Sequence, residues 1–273
     1  MLQAVTSRPD HVLKYSVHTR LREYHLRRLM PALDRGRLLD VGCGLGYLTQ
    51  VLGRGLTAVG LDSDYKSLVL NRRQGAGSFV QGDAAGLPFK EASFDLAVCS
   101  EMLEHLPPGL DEQCLAEMAR VVKPGGRILI TLPSLEGLRA MSRLRNLGHD
   151  DPQGGEFHHR PGYAWPEIKA LIDRCPFLRV SQRKYSMFLL SEMFMDLLKL
   201  VYLKKEGLRE HSDIAGAGES PLFKVYRLFF PLLHFIFICE DLTLSRLFKG
   251  HILVLALERT GQGAGEAWPP FSK

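Results

Sequence analysis

The run Leu38-Leu39-Asp40-Val41-Gly42-Cys43-Gly44-Leu45-Gly46-Tyr47-Leu48-Thr49 joins the end of an apolar strand to the start of a helix through three alternating glycines. Such a turn bends tightly and brings backbone N–H groups to a ligand with no Cβ in the way, so it reads as the seat of a large polar cofactor. Dinucleotide-binding chains also open with strand, glycine turn and helix, and also carry an acid roughly twenty residues later, a place that Asp62 fills here. Their G-x-G-x-x-G spacing would need glycine at position 47. The chain has Tyr47 there and a glycine one place early, Gly46, so the spacing excludes that reading.

The apolar runs 56–61, 94–99 and 127–132 are short, lack strict alternation and are bounded by Gly, Pro or Asp, as buried parallel strands are. Helical patterns lie between them. Strands alternating with helices predict an α/β fold whose ligands bind at the carboxyl ends of the strands, where Asp40, Asp62, Asp83 and Ser100 fall.

Asp40-x-Gly42-x-Gly44-x-Gly46 resembles motif I of the class I S-adenosylmethionine-dependent methyltransferases, and later segments follow in that family's order. Ala58-Val59-Gly60-Leu61-Asp62-Ser63-Asp64 resembles its second strand, whose terminal acid holds the two ribose hydroxyls. Phe79-Val80-Gln81-Gly82-Asp83-Ala84-Ala85-Gly86-Leu87-Pro88-Phe89 resembles the segment whose Asp accepts a hydrogen bond from the adenine amine. Ser93 to Pro107 is similar to the fourth strand and the turn after it, and Val121 to Thr131, with Lys123-Pro124-Gly125-Gly126, to the helix, turn and fifth strand of the small-molecule, type 11-like branch.

The resemblance implies a Rossmann-like, doubly wound, mostly parallel seven-stranded sheet with helices on both faces, and S-adenosylmethionine as cofactor. It implies a cofactor site made of Asp40, Gly42, Cys43, Gly44, Gly46, Asp62, Ser63, Asp83, Ala84, Ser100 and Glu101. In-line methyl transfer needs the acceptor held in position, and an oxygen acceptor also needs a base. His105 after strand four and His158 or His159 after strand five are the candidates, each with a plainer reading as a capping or solvated residue. Arg160 beside them suits a phosphate or carboxylate. Tyr15 and His18, on a basic helical segment at His11 to Leu33, are placed by the resemblance near the methionine end or the acceptor, with a solvated helix as the plainer reading.

The pattern departs from a minimal methyltransferase near its end. Phe177 to Ser181 and His251 to Leu257 fit the last two strands, and about seventy residues separate them. That insertion holds two apolar stretches, Met187 to Leu203 and Leu222 to Ile238, whose polar spacing is helical. Three charges interrupt the first, and Pro231, His234 and the following Glu240-Asp241 mark the second, so neither meets the roughly twenty-residue apolar run of a membrane span. An interfacial helix, a cap for an apolar acceptor, and plain packing of the two helices against each other and the sheet edge or against a second subunit of a homodimer all remain open.

The predicted organisation is a helical cap over 1–35, a methyltransferase core over 36–185 and 250–259, the insertion over 186–249, and a disordered Gly- and Pro-rich tail over 260–273. A chain of 273 residues with 45% hydrophobic content can bury such a core. Cysteines at 43, 99, 114, 175 and 239 are odd in number and form no C-x-x-C pair, which argues against a disulfide framework or a metal site. Met1 to Tyr15 holds no apolar run of signal-peptide length, which predicts a cytoplasmic location, with peripheral membrane contact left open. The net charge of +5 is dispersed and accompanies no nucleic-acid-binding signature, so no nucleic-acid partner is expected.

The expected activity is methyl transfer to a small or lipid-like acceptor, by O-methylation. A soluble sugar or metabolite as acceptor, with the insertion as dimer interface, is the alternative within enzymes. A non-catalytic cofactor-binding regulator is the alternative outside them.

Overall fold

The computed structural model describes residues 13–73, 78–137, 159–175, 177–206 and 221–261. His158 and the tail after residue 261 lie outside them. In order, the elements are α1 (Val17–Leu29), β1 (Arg37–Val41), α2 (Tyr47–Leu52), β2 (Thr57–Asp62), α3 (Tyr65–Arg73), β3 (Ser78–Gln81) and β4 (Phe94–Ser100). A short 3-10 turn (Leu103–His105) follows, then α4 (Leu110–Val121), β5 (Val122–Pro133), α5 (Trp165–Arg174), β6 (Leu178–Ser186), α6 (Leu189–Glu206), α7 (Pro221–Leu244) and β7 (Ile252–Arg259).

The strands form one seven-stranded sheet in the order β3-β2-β1-β4-β5-β7-β6. The five strands β1 to β5 run parallel. Their interiors are apolar without alternation because both sides are covered: Leu38, Leu39, Leu96, Ala97, Val98, Ile128 and Leu129 have no exposed surface. The order reverses between β1 and β4, and a ligand crevice opens at such a switch point, beyond the strands' carboxyl ends. Register brings the candidate residues to that edge. Val41 is paired with Leu61 and Cys99, so Gly42, Asp62 and Ser100 each come next at the same level.

Local chemistry explains the helix limits. Asp64 accepts the backbone N–H groups of Lys66 (3.0 Å) and Ser67 (3.1 Å) at the start of α3. The Ser67 hydroxyl and these amides hold its carboxyl below the usual range. Helix α4 carries Asp111 and Glu112 in its first turn and Arg120 in its last, complementing the helix dipole. The Lys123-Pro124-Gly125-Gly126 segment, expected as a turn before the fifth strand, is instead carried inside β5 as an irregularity. Phe94 pairs with Val122 but Leu96 with Arg127, so Lys123 to Gly126 bulge out opposite Asp95. Asp95 receives the Lys123 ammonium (2.6 Å) and the Arg37 N–H (2.8 Å), which hold its carboxyl low.

The described residues fall into two compact units. One holds 13–24, 136–137, 185–206 and 221–252, and the other holds 25–73, 78–135, 159–175, 177–184 and 253–261. The second unit includes the end of α1. Arg27 donates to the Val51 carbonyl (2.6 Å) and Arg127 to the Leu29 carbonyl (3.0 Å), tying that end down.

The first unit is held by a buried acid pair. Glu240 accepts the N–H groups of Leu190 (2.5 Å) and Ser191 (3.0 Å), two of the donors that the first turn of α6 leaves open. Asp241 accepts the Ser186 hydroxyl (2.5 Å) and the Met187 N–H (3.0 Å). Glu240 and Asp241 thus face inward from α7, although in sequence they read as the polar end of an apolar stretch.

Candidate functional site

The glycine turn is built by β2 and α3. Gly42 and Cys43 both donate their N–H to the Leu61 carbonyl, at 2.8 and 3.0 Å. The Gly44 N–H donates to Asp62 Oδ2 at 2.7 Å, and the Asn71 amide donates to the Gly44 carbonyl at 2.7 Å. Gly42, Gly44 and Gly46 have φ of 72°, 47° and 71°, the left-handed region in which side chains with Cβ are strained. A Cβ on Gly42 would lie 2.3 Å from Met102 Cγ and one on Gly46 2.9 Å from Phe79, so packing also demands glycine there. A Cβ on Gly44 would meet nothing within 4 Å. The turn therefore offers its backbone to open space at one residue, Gly44, directly above Asp62.

Asp62 ends β2 with each carboxylate oxygen engaged once, Oδ2 by Gly44 and Oδ1 by the Asp64 N–H at 2.9 Å. Each oxygen retains a further lone pair for a ligand hydroxyl. Asp40 is 2% exposed and receives the Thr49 hydroxyl at 2.6 Å. Burial, reinforced by the nearby Asp62 charge and opposed by Thr49, pushes its pKa up to about 6. Its carboxyl holds α2 against β1. Cys43 is also buried, and burial pushes its thiol up.

Ser63 is exposed, and its carbonyl accepts from Gln81 at 3.1 Å. Asp83 is exposed after β3, with Oδ1 accepting the Ala85 N–H at 2.9 Å, while Ala84 beside it is buried. The segment around Leu87 is clamped from α4. Glu117 accepts the Leu87 N–H (2.8 Å), and Arg120 donates to the Phe89 (2.8 Å) and Leu87 (3.0 Å) carbonyls. At the end of β4, the Ser100 and Thr131 hydroxyls lie 2.7 Å apart, and Glu101 turns the chain with φ of 52° while its N–H donates to the Thr131 carbonyl at 2.9 Å. A non-glycine residue in that region marks a position that surrounding structure over-determines.

His105 closes the 3-10 turn and is half-buried. The carbonyl of Glu104, next to it, accepts the N–H groups of His159 (3.1 Å) and Arg160 (3.3 Å), so the backbone brings His105 and His159 to one place beyond β4. Gly162 lets the same segment pass close to the end of β5: with φ of 142°, a Cβ there would lie 2.5 Å from the Pro133 carbonyl oxygen.

Arg160 is less open than its sequence setting suggests. Its guanidinium lies 3.4 Å from Asp111 Oδ2 and over the Tyr163 ring at 4.6 Å. Asp111 is fully buried and needs a partner, which Arg160 and the Tyr163 hydroxyl (3.1 Å) supply. Tyr15 and His18 belong to the other unit. There the Tyr15 ring meets Phe223 and Phe230 edge-on, and its carbonyl accepts the Tyr226 hydroxyl at 2.6 Å, while His18 is half-buried on α1.

Thr49, inside the glycine motif, supports the site through Asp40. Asn71, Met102, Asp111, Glu117, Arg120 and Tyr163 support it too and carry no sequence signal of their own, since each acts through a residue distant along the chain. Among the described residues no cluster of metal-binding type exists. The residues present fit a nucleoside-bearing cofactor. They combine an open cradle at Gly44, an acid with spare lone pairs above a strand end and a second acid after β3.

Residues 39–130 match the family described as a methyltransferase domain. Over 132 residues the chain is 39% identical to a fatty-acid O-methyltransferase of Mycolicibacterium smegmatis, covering 46% of this chain and 46% of that protein. Over 118 residues it is 33% identical to a ubiquinone biosynthesis O-methyltransferase of Bordetella avium, covering 41% of this chain and 48% of that protein. The chain thus spans about half the length of these two relatives.

Among solved structures, phosphoethanolamine N-methyltransferase 2 of Haemonchus contortus, in complex with S-adenosyl-L-methionine, shares the fold with a TM-score of 0.54 at 16% identity, covering 88% of this chain and 52% of that one. The cyclase SpnF shares it with a TM-score of 0.57 at 16% identity, covering 89% and 82%. A fold common to a methyltransferase and a cyclase does not by itself name a reaction.

Proposed function

We propose that the chain is an S-adenosylmethionine-dependent methyltransferase that transfers a methyl group to an oxygen atom of a small or lipid-like acceptor, a reading supported by the match of residues 39–130 to a methyltransferase domain. The observation that carries the reading is the pairing of an open Gly44 backbone with Asp62 beneath it. The lipid-like acceptor draws its support from the relatives named for fatty-acid and ubiquinone-biosynthesis O-methylation.

When bound, the cofactor supplies a methyl group on a positively charged sulfur. In this reading the backbone from Gly42 to Gly46 cradles the ligand, Asp62 accepts the ribose hydroxyls, and Asp83 accepts a hydrogen bond from the adenine amine. Ser63, Ala84, Ser100 and Glu101 shape the remaining wall. The chain's contribution to rate is orientation, which holds an acceptor oxygen in line with the methyl group. His105 or His159 then takes the acceptor's proton.

Labelled methyl transfer from S-adenosylmethionine into a cell extract, partitioned into organic, aqueous and protein fractions, tests the proposal. Label in the organic fraction is expected, and label in the aqueous fraction alone would replace the lipid-like acceptor with a soluble one. Asp62→Ala removes a charged acceptor of two hydroxyls and is expected to weaken cofactor binding by about 2–4 kcal/mol in calorimetry. Unchanged affinity would displace the cofactor from this site.

A further inference from the structure

Helix α7 is 24 residues long and has two opposed apolar faces. One is turned inward, with Phe223, Phe230 and Phe237 at a seven-residue spacing together with the acids Glu240 and Asp241. The other is turned to solvent. Val225, Leu228, Phe229, Leu232, Phe235 and Ile236 recur at steps of three and one, and they are 40–75% exposed. Leu242 continues the same stripe. A soluble monomer rarely exposes a contiguous apolar patch of this kind without a use for it.

Charge distribution identifies what covers the stripe. Between Pro221 and Gly250 every exposed charged side chain is basic: Lys224 and Arg227 near the start of the helix, Arg246 and Lys249 beyond its end. The only two acids in that stretch, Glu240 and Asp241, are buried as partners of the α6 N-terminus and the preceding strand end. Lys249 is satisfied in part by Glu136 at 2.6 Å. A second copy of this surface fits poorly, because basic groups at both ends of α7 would meet basic groups whichever way two helices paired. No helix among the described residues is long and apolar enough to cross a membrane.

We propose that the exposed face of α7 docks the protein on an anionic lipid bilayer. The helix lies in the interface plane, with its apolar stripe in the acyl boundary and Lys224 and Arg246 against acidic headgroups, while Arg227 turns back over the Tyr15 ring. None of the residues of this face is among those assigned to the cofactor, so its test does not depend on which acceptor is methylated. It would give an enzyme of lipid-like acceptors access to molecules that reside in a membrane.

Sedimentation of the full chain with phosphatidylcholine vesicles, with and without phosphatidylglycerol, decides the matter. The chain is expected to bind the anionic vesicles and to lose binding as salt rises. Leu228→Glu combined with Leu232→Glu is expected to reduce vesicle binding by at least about tenfold. Lys224→Ala is expected to reduce it about fivefold. Both proteins should keep wild-type circular dichroism and S-adenosylmethionine affinity. Absence of binding to anionic vesicles would overturn the proposal. So would salt-independent binding to both vesicle types, or a solution dimer that the double variant dissolves without any vesicle binding by the wild type.

Discussion

Gly42 and Gly44 share a left-handed backbone but differ in what surrounds them, and the difference is measurable. A Cβ on Gly42 strikes Met102, whereas one on Gly44 enters open space. Gly42→Ala should therefore lose stability through both strain and overpacking, about 2–4 kcal/mol. Gly44→Ala should lose only the strain of about 1–2 kcal/mol. Cofactor affinity should show the reverse order relative to stability, with Gly44→Ala binding far more weakly than its small stability loss suggests. Urea unfolding beside calorimetric titration with S-adenosylmethionine checks the split, and normal affinity in Gly44→Ala would show that the ligand does not approach this backbone. At the same scale Arg160 marks the limit of sequence reading. Its neighbours His158 and His159 suggest an open anion site, but the partner that engages it, Asp111, lies far away along the chain.

At the level of elements, strands β1, β2 and β4 were legible because a buried parallel strand is an uninterrupted apolar run ending in a polar residue. The bulge that carries Lys123 to Gly126 within β5 was not, since a bulge is defined only by its partner strand. The acids at the end of α7 are the clearest case. Glu240 serves a helix fifty residues earlier, and its removal leaves the N–H groups of Leu190 and Ser191, the second of them buried, without this acceptor. Glu240→Ala is expected to cost about 1–3 kcal/mol and to loosen α6. Hydrogen exchange should show faster exchange at those two amides. Unchanged protection would mean that α6 is held by packing alone.

For the molecule as a whole, pH acts through carboxyls whose surroundings differ. Asp40, with its pKa raised to about 6, takes up a proton in the folded state before it does so in the unfolded chain. Folding therefore binds a proton between roughly pH 4 and 6, and this group's contribution favours the fold in acid and declines as pH rises through 6. Asp64 and Asp95 act in the opposite sense, because their carboxyls are held low: their stabilisation is present above the usual carboxyl range and is lost as pH falls through the lowered folded-state values. Comparison with Asp40→Asn isolates the first effect. The stability of wild type relative to the variant should fall by on the order of 3 kcal/mol from pH 4 to pH 7 and then level off. A difference that does not vary with pH would place the Asp40 carboxyl near its ordinary value.

Sequence by itself determined the α/β class and the strand-end positions of Asp40, Asp62 and Ser100, together with the glycine turn. These follow from local constraints: left-handed backbone selects glycine, and buried parallel strands select continuous apolar runs. Tertiary structure alone decided which polar groups are buried. It turned Asp40 toward Thr49, Asp111 toward Arg160 and Glu240 toward the start of α6. It also decided which of the two apolar faces of α7 meets the protein and which meets solvent. Burial depends on what distant segments bring to the same place, and a one-dimensional pattern of apolar residues is the same for a helix face that is covered and for one that is not.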